Sequence, residues 1–190
     1  MSLVFIRHAQ TDLAGTFCGH TDPPVNSIGH RQIAEMISRL RSETFDAIYS
    51  SDLRRAVETA TPLAEAFALP VITTPQLREI DFGDWEGLTW PEIELRDPTY
   101  ARRWIEVFPA LPAPNGESFA VFKSRILDEV KHLCCLAESK RFAVVTHGGV
   151  MRVVLQKLMG CSEDDARDLT KPYCSSFLCS GVIAAAEVTR

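Results

Sequence analysis

Short apolar runs alternate with longer amphipathic stretches along this chain, and few architectures accept that alternation. Leu3-Val4-Phe5-Ile6 is a continuous apolar run of the kind a strand buried on both faces shows, and it stops at Arg7-His8. A loop rich in Gly, Thr, Asp and Pro follows. Asn26 or Ser27 then caps a stretch in which Ile33, Met36, Ile37 and Leu40 recur at helical spacing. Residues 46–50 read as a second strand, and after Ser51 or Asp52 as cap, Leu53, Ala56, Val57, Ala60, Leu63, Ala64 and Phe67 trace one helical face. Residues 71–73 form a third short strand. Phe119, Phe122, Ile126, Val130 and Leu133 mark a further amphipathic helix. Residues 142–146 are another buried strand, Gly148-Gly149 opens a helix that runs to Gly160, and residues 176–188 read as a last strand. Between Pro75 and Gly116 the pattern is irregular, with Tyr100, Trp104 and Phe108 four apart on a short helix. Strands alternating with helices predict an α/β fold: a single three-layer α/β/α domain over residues 1–190, its mostly parallel sheet carrying helices on both faces.

At 190 residues the chain is one ordinary domain in size, and 46% hydrophobic with 24% charged residues is a globular balance. The net charge of −5 argues against a nucleic-acid polymer or a membrane surface as partner, since both select a basic face. No apolar stretch reaches the roughly 20 residues of a spanning helix, and the N-terminus lacks the basic and apolar regions of a secretory signal. The cytoplasm is the expected compartment, with the six cysteines reduced. Cys135 with Arg141 and Cys161 with Arg167 match the spacing of a thiolate phosphatase loop. Neither carries the Gly-rich cradle such a loop needs; residues 162–166 are acidic and the other spacing starts inside a helical pattern.

In open α/β sheets, ligands bind outside the carboxyl ends of the strands. The first strand ends at Arg7-His8, the second leads to Arg54-Arg55, the third to Arg78-Glu79, and the fourth to His147-Gly148. Any one of these could be an ordinary strand end. Four of them together place imidazoles, guanidiniums and a carboxylate on one edge, and a cation cluster in an acidic protein implies an anionic ligand.

These same residues resemble a known family, the histidine phosphatase or phosphoglycerate mutase-like superfamily. Arg7-His8-Ala9-Gln10-Thr11 is similar to its first signature, and Ser51-Asp52-Leu53-Arg54-Arg55-Ala56 with Thr59-Ala60 to its second. Residues 77–87 are similar to the block that supplies its acid, and Val145-Thr146-His147-Gly148-Gly149 to its second histidine motif. The resemblance implies a phosphomonoester hydrolase that works through a phosphohistidine on His8. It implies that Arg7, Arg55, His147, Gly148 and Thr11 bind the phosphoryl group and that Glu79 is the proton donor, with Arg54 a solvated neighbour. Neutral His8 would be maintained by Arg7 and Arg55, and His147 would be protonated beside the dianion. Among the nearby carboxylates the resemblance selects Glu79, leaving Asp81, Asp84 and Glu86 as a solvated acidic loop. Neither metal nor cofactor is required, because cationic side chains supply the positive charge; His20-Thr21-Asp22 alone is too few donors for a metal site. His30 and His132 are read as surface residues.

Ala9 stands where the family usually has Gly, and Ala14 where many members have an Asn. Phosphatase is favoured over a phosphoglycerate mutase-type phosphotransferase because the chain is short. A non-catalytic phosphate-binding protein is the alternative from another class. The expected partners are a small phosphorylated metabolite as substrate and inorganic phosphate as product. Residues 82–86 and 114–119 resemble the α-ribazole phosphatase branch, which makes α-ribazole 5'-phosphate one substrate candidate; Trp90, Tyr100, Trp104 and Phe108 are candidates for an aromatic lid, although aromatics at spacing four are more often core.

Overall fold

The computed structural model describes residues 2–180. Five strands form one sheet: β1 (Ser2–Arg7), β2 (Ala47–Ser51), β3 (Val71–Thr74), β4 (Arg141–Thr146) and β5 (Ser176–Ser180), in the order β3-β2-β4-β1-β5. Four of them run parallel, and β5 pairs antiparallel with β1 at the edge. The part of the expected last strand beyond Ser180 lies outside the described residues.

Alternation of side chains along the strands splits the core in two. Leu3, Phe5, Phe142 and Val144 face α5 (Phe119–Ala137) and α6 (Gly148–Leu158), where they meet Phe122, Ile126, Val130 and Val154. Val4, Ile6, Ile48, Ala143 and Val145 face the other way, onto Ile33, Met36 and Leu40 of α1 (Ser27–Leu40) and Ala56, Ala60 and Leu63 of α2 (Arg54–Phe67). Strands covered on both sides need apolar residues at every position, which is why their sequences are runs and not alternations. The three-layer α/β/α arrangement follows from that pattern.

The irregular middle resolves into single 3-10 turns at Pro75–Leu77 and Gly83–Trp85, then α3 (Trp90–Arg96) and α4 (Pro98–Val107). Of the two readings of the aromatic residues, lid or core, the structure shows a satellite core. Trp90, Tyr100 and Trp104 pack with Phe17 and Phe82 around buried Trp85, leaving Phe108 half exposed at the end of α4. A seventh helix, α7 (Glu163–Thr170), was not anticipated. Its three acidic residues in the first turn suit the helix N-terminus, which Ser162 caps. The cap of α2 also differs from expectation. Its N-cap is Leu53, and the first-turn N–H of Arg54 is taken by Asp22 Oδ1 at 2.6 Å from a distant loop.

Adjacent strands β1 and β4 send the chain to opposite faces, β1 toward α1 and β4 into α6. A crevice must open where two neighbouring strands part company in this way. Arg7 and Thr146 are register partners, so His8 and His147, the next residue on each strand, leave the sheet side by side.

Candidate active site

At the end of β1, His8 is nearly buried, and its ring centroid lies 5.0 Å from that of His147. Its Nδ1 sits 2.7 Å from the Ala9 carbonyl oxygen. A carbonyl only accepts, so the ring proton is on Nδ1 and Nε2 keeps its lone pair. Burial, then the Arg55 and Arg7 charges, hold the imidazole well below its ordinary pKa. Ala9 is fully buried and its N–H donates to Thr59 Oγ1, so the methyl that replaces the usual Gly hydrogen is packed in the core.

His147 has no exposed surface, and its Nε2 lies 2.9 Å from Ser51 Oγ at the end of β2. Ser51 Oγ also accepts the Leu53 N–H, and with the Ser51 proton on Nε2 the imidazole proton sits on Nδ1. That N–H is buried without a partner among the described residues. The protonation expected beside a bound dianion belongs to the complex; in the free chain burial, with Arg55, His8 and Arg7 nearby, pushes the His147 pKa well down. The ring is a neutral donor.

Arg55 is the largest fully buried side chain, held in the first turn of α2. Its guanidinium donates to the carbonyls of Thr21 at 2.7 Å, Gly19 at 2.6 Å and Cys18 at 3.3 Å, while Nε has no partner among the described residues. Arg54, by contrast, points outward and pairs with Glu58. Arg7 donates to the carbonyls of Thr170 and Lys171, lies under the Tyr173 ring at 4.0 Å, and also leaves Nε buried and unpartnered. Three buried nitrogens without partners among the described residues thus belong to Arg7, Arg55 and His147, the side chains whose charges or ring lie near His8. Such groups are costly unless something accepts from them, and an anion does so at least expense.

Glu79 is almost fully buried and reaches the same crevice from the segment after β3. Its Oε2 accepts the Gly149 N–H at 2.8 Å in the first turn of α6, and Oε1 accepts the Ile80 N–H at 3.0 Å. A Cβ at position 149 would overlap Glu79 Oε1, so glycine is needed there for close approach. Gly148 begins α6, whose positive end faces Arg7. Thr11 is buried three residues beyond His8 but uses its hydroxyl oxygen to accept the Leu13 N–H, shaping the loop that bridges to Val25.

Of the other carboxylates of the acid block, Asp84 is exposed as expected and Asp81 is half-buried, but Glu86 is not a solvated side chain. Glu86 accepts N–H bonds from Gly19, His20, Thr21 and Phe82 at 2.8–3.1 Å, and these bonds lower its pKa against the cost of burial. It holds the loop whose carbonyls grip Arg55. Asp81 accepts the Gly83 N–H and faces His20, and exposed Asp84 takes the Asn115 amide. His20 and Asp22 make separate contacts, and no cluster of three metal-ligating side chains occurs among the described residues. His30 and His132 are exposed. The cysteines are unpaired, Cys135 is exposed on α5, and burial pushes the Cys174 thiol up to about 12.

The family model described as histidine phosphatase superfamily, branch 1, matches residues 3–180. A metal-independent phosphoserine phosphatase of Arabidopsis thaliana is 33% identical over 165 residues, covering 84% of this chain and 69% of that protein. A bifunctional protein of Mycobacterium tuberculosis is 36% identical over 157 residues, 81% of this chain; the match spans only 43% of that relative's length. Among solved structures, the α-ribazole phosphatase of Shigella flexneri superposes with a TM-score of 0.84 at 26% identity, over 94% of this chain and 89% of the other.

Proposed function

This chain belongs to the histidine phosphatase superfamily, branch 1, and from that membership we propose that it hydrolyses phosphomonoesters of small metabolites through a phosphohistidine on His8. The observation that carries the reading is that Arg7 Nε, Arg55 Nε and His147 Nδ1, on side chains near His8, are buried without partners among the described residues, beside an imidazole whose Nε2 keeps its lone pair.

In the first step the Nε2 lone pair forms the N–P bond as the ester P–O bond breaks. Glu79, entering as the carboxylic acid, gives its proton to the departing oxygen. The two arginines, His147 and the N–H groups that open α6 hold the phosphoryl oxygens as charge shifts among them. In the second step a water attacks phosphorus, its proton passes to the Glu79 carboxylate, the N–P bond breaks, and inorganic phosphate leaves. His8 and Glu79 both return to their starting states. The positive charge is supplied by side chains, so the reading needs no metal or cofactor. Thr11 contributes by shaping the loop after His8.

For substrate, we favour a small phosphorylated metabolite, with α-ribazole 5'-phosphate and phosphoserine as the first to try because relatives are named for them. The cytoplasm is the proposed compartment, consistent with six free cysteines; no helix among the described residues is long and apolar enough to cross a membrane. The test is hydrolysis of p-nitrophenyl phosphate and of a panel of phosphorylated metabolites in EDTA. Wild type should turn over and His8→Ala should fall to the buffer rate. Activity that requires an added divalent metal, or that survives in His8→Ala, would refute the reading.

A further inference from the structure

Arg125 spends three of the five N–H groups of its guanidinium on the segment that carries Glu79. Its Nη1 donates to the carbonyls of Gln76 at 2.9 Å and Arg78 at 2.8 Å, and its Nη2 to that of Glu79 itself at 2.9 Å. The remaining two N–H groups, on Nε and Nη2, form a two-pronged pair with the Glu117 carboxylate, both at 2.8 Å. Arg125 lies on the second turn of α5 and Glu117 just before that helix, so both are anchored to an element packed on the sheet. Both side chains are largely shielded from water, at 17% and 14% exposure.

The segment from Gln76 to Glu79 has no strand or α-helix of its own beyond the 3-10 turn at Pro75–Leu77. Its carbonyls would otherwise face solvent and leave the chain free to shift. Thr146 pins Leu77 from the sheet side, and Arg125 pins the residues on either side of it from α5. The Glu79 carboxyl group is then aimed by its own backbone, not only by the Gly149 N–H. A planar guanidinium with five donors in a fixed fork suits this task; the three donors of a lysine on a flexible stem do not.

We propose that Arg125, oriented by Glu117, is a positioning residue for proton transfer by Glu79: it fixes the backbone from which the acid acts. This rests on the reading of Glu79 as proton donor given above. Arg125 has no proton to give and need not touch the substrate. Its loss should therefore weaken one catalytic function, help to the leaving group, more than the others.

The experiment compares kcat/KM for phenyl phosphate and p-nitrophenyl phosphate in wild type, Arg125→Lys, Glu117→Gln, Glu79→Gln and the Arg125→Lys/Glu79→Gln double variant. Phenoxide is the poorer leaving group and needs the proton more. Proton transfer of this kind is worth about 10²–10⁴-fold, so a misaimed acid should lose about 10-fold or more on phenyl phosphate, and several-fold less on the nitrophenyl ester. Glu117→Gln, which keeps the three carbonyl contacts, should show the same selectivity in weaker form. The double variant should lose no more on phenyl phosphate than Glu79→Gln alone, because residues acting as a unit are not additive.

Inhibition by inorganic phosphate should stay near the wild-type value in each variant, showing that the anion pocket is intact. If Arg125→Lys does not fold, the selectivity of Glu117→Gln decides. Equal losses on both esters in the folded Arg125 or Glu117 variants, or additive losses in the double variant, would overturn the proposal while leaving Glu79 its role. If Glu79→Gln itself shows no leaving-group selectivity, the acid assignment fails, and the proposal with it.

Discussion

His8 and His147 are kept neutral by the features that make them useful. Burial comes first for both, and the neighbouring guanidiniums add to it. A buried imidazole beside two cations is a better nucleophile at Nε2 than a protonated one, and a neutral His147 still offers one N–H. The arrangement has a consequence for stability. In the unfolded chain both histidines take up protons near their ordinary pKa of about 6.5, whereas in the folded chain they resist until the pH is much lower. Their contribution is therefore undiminished above that value and is lost as pH falls below it, by up to about 1.4 kcal/mol per pH unit for each residue. Thermal unfolding of the free protein in phosphate-free buffer should show a melting temperature that declines below about pH 6.5. The decline should be shallower in His147→Asn. An identical pH profile in that variant would contradict the depressed pKa.

The first turn of α6 is where an element, not a single side chain, sets the chemistry. Its N-cap is His147, its first residue faces Arg7, and its second donates to Glu79, so one helix start brings three parts of the crevice into contact. The two glycines there are not equivalent. A methyl on Gly148 would meet Arg7 Nε at 3.6 Å, an ordinary contact, while one on Gly149 would displace the Glu79 carboxylate. Alanine also favours a helix over glycine by up to about 1 kcal/mol, so neither substitution should cost much stability. Gly148→Ala should keep most of its activity with phenyl phosphate. Gly149→Ala should lose about 10²-fold, the scale of a misplacement near 1 Å, with its melting temperature held. Equal activity in the two variants would mean that the close approach at Gly149 is unimportant.

Across the whole molecule, what the sequence makes legible is what is written in consecutive residues. The buried strands, the faces of α1, α2, α5 and α6, and the histidines at the strand ends all come from short runs with a local physical reason, whereas the choice of Arg55 over Arg54 rests on the family resemblance. The order of the strands and the antiparallel edge pairing of β5 do not, because pairing depends on residues far apart in the chain. The same limit hid the roles of Glu86, Arg125 and Asp22. A carboxylate or guanidinium that binds distant backbone groups has the same sequence appearance as one in water. The aromatic cluster is ambiguous for a related reason: spacing of four marks a buried face more often than a binding one, and the structure packs most of it around Trp85. Short, acidic α7 carries too few apolar residues for periodicity to reveal it. The account stands on His8 becoming covalently phosphorylated, and rapid-quench labelling tests that directly. Wild-type protein mixed with phosphorus-labelled phenyl phosphate and quenched within the first turnover should carry an acid-labile, base-stable label on the peptide containing His8, and His8→Ala should carry none. Label on a cysteine, or single-turnover hydrolysis with no phosphoenzyme in that window, would contradict it.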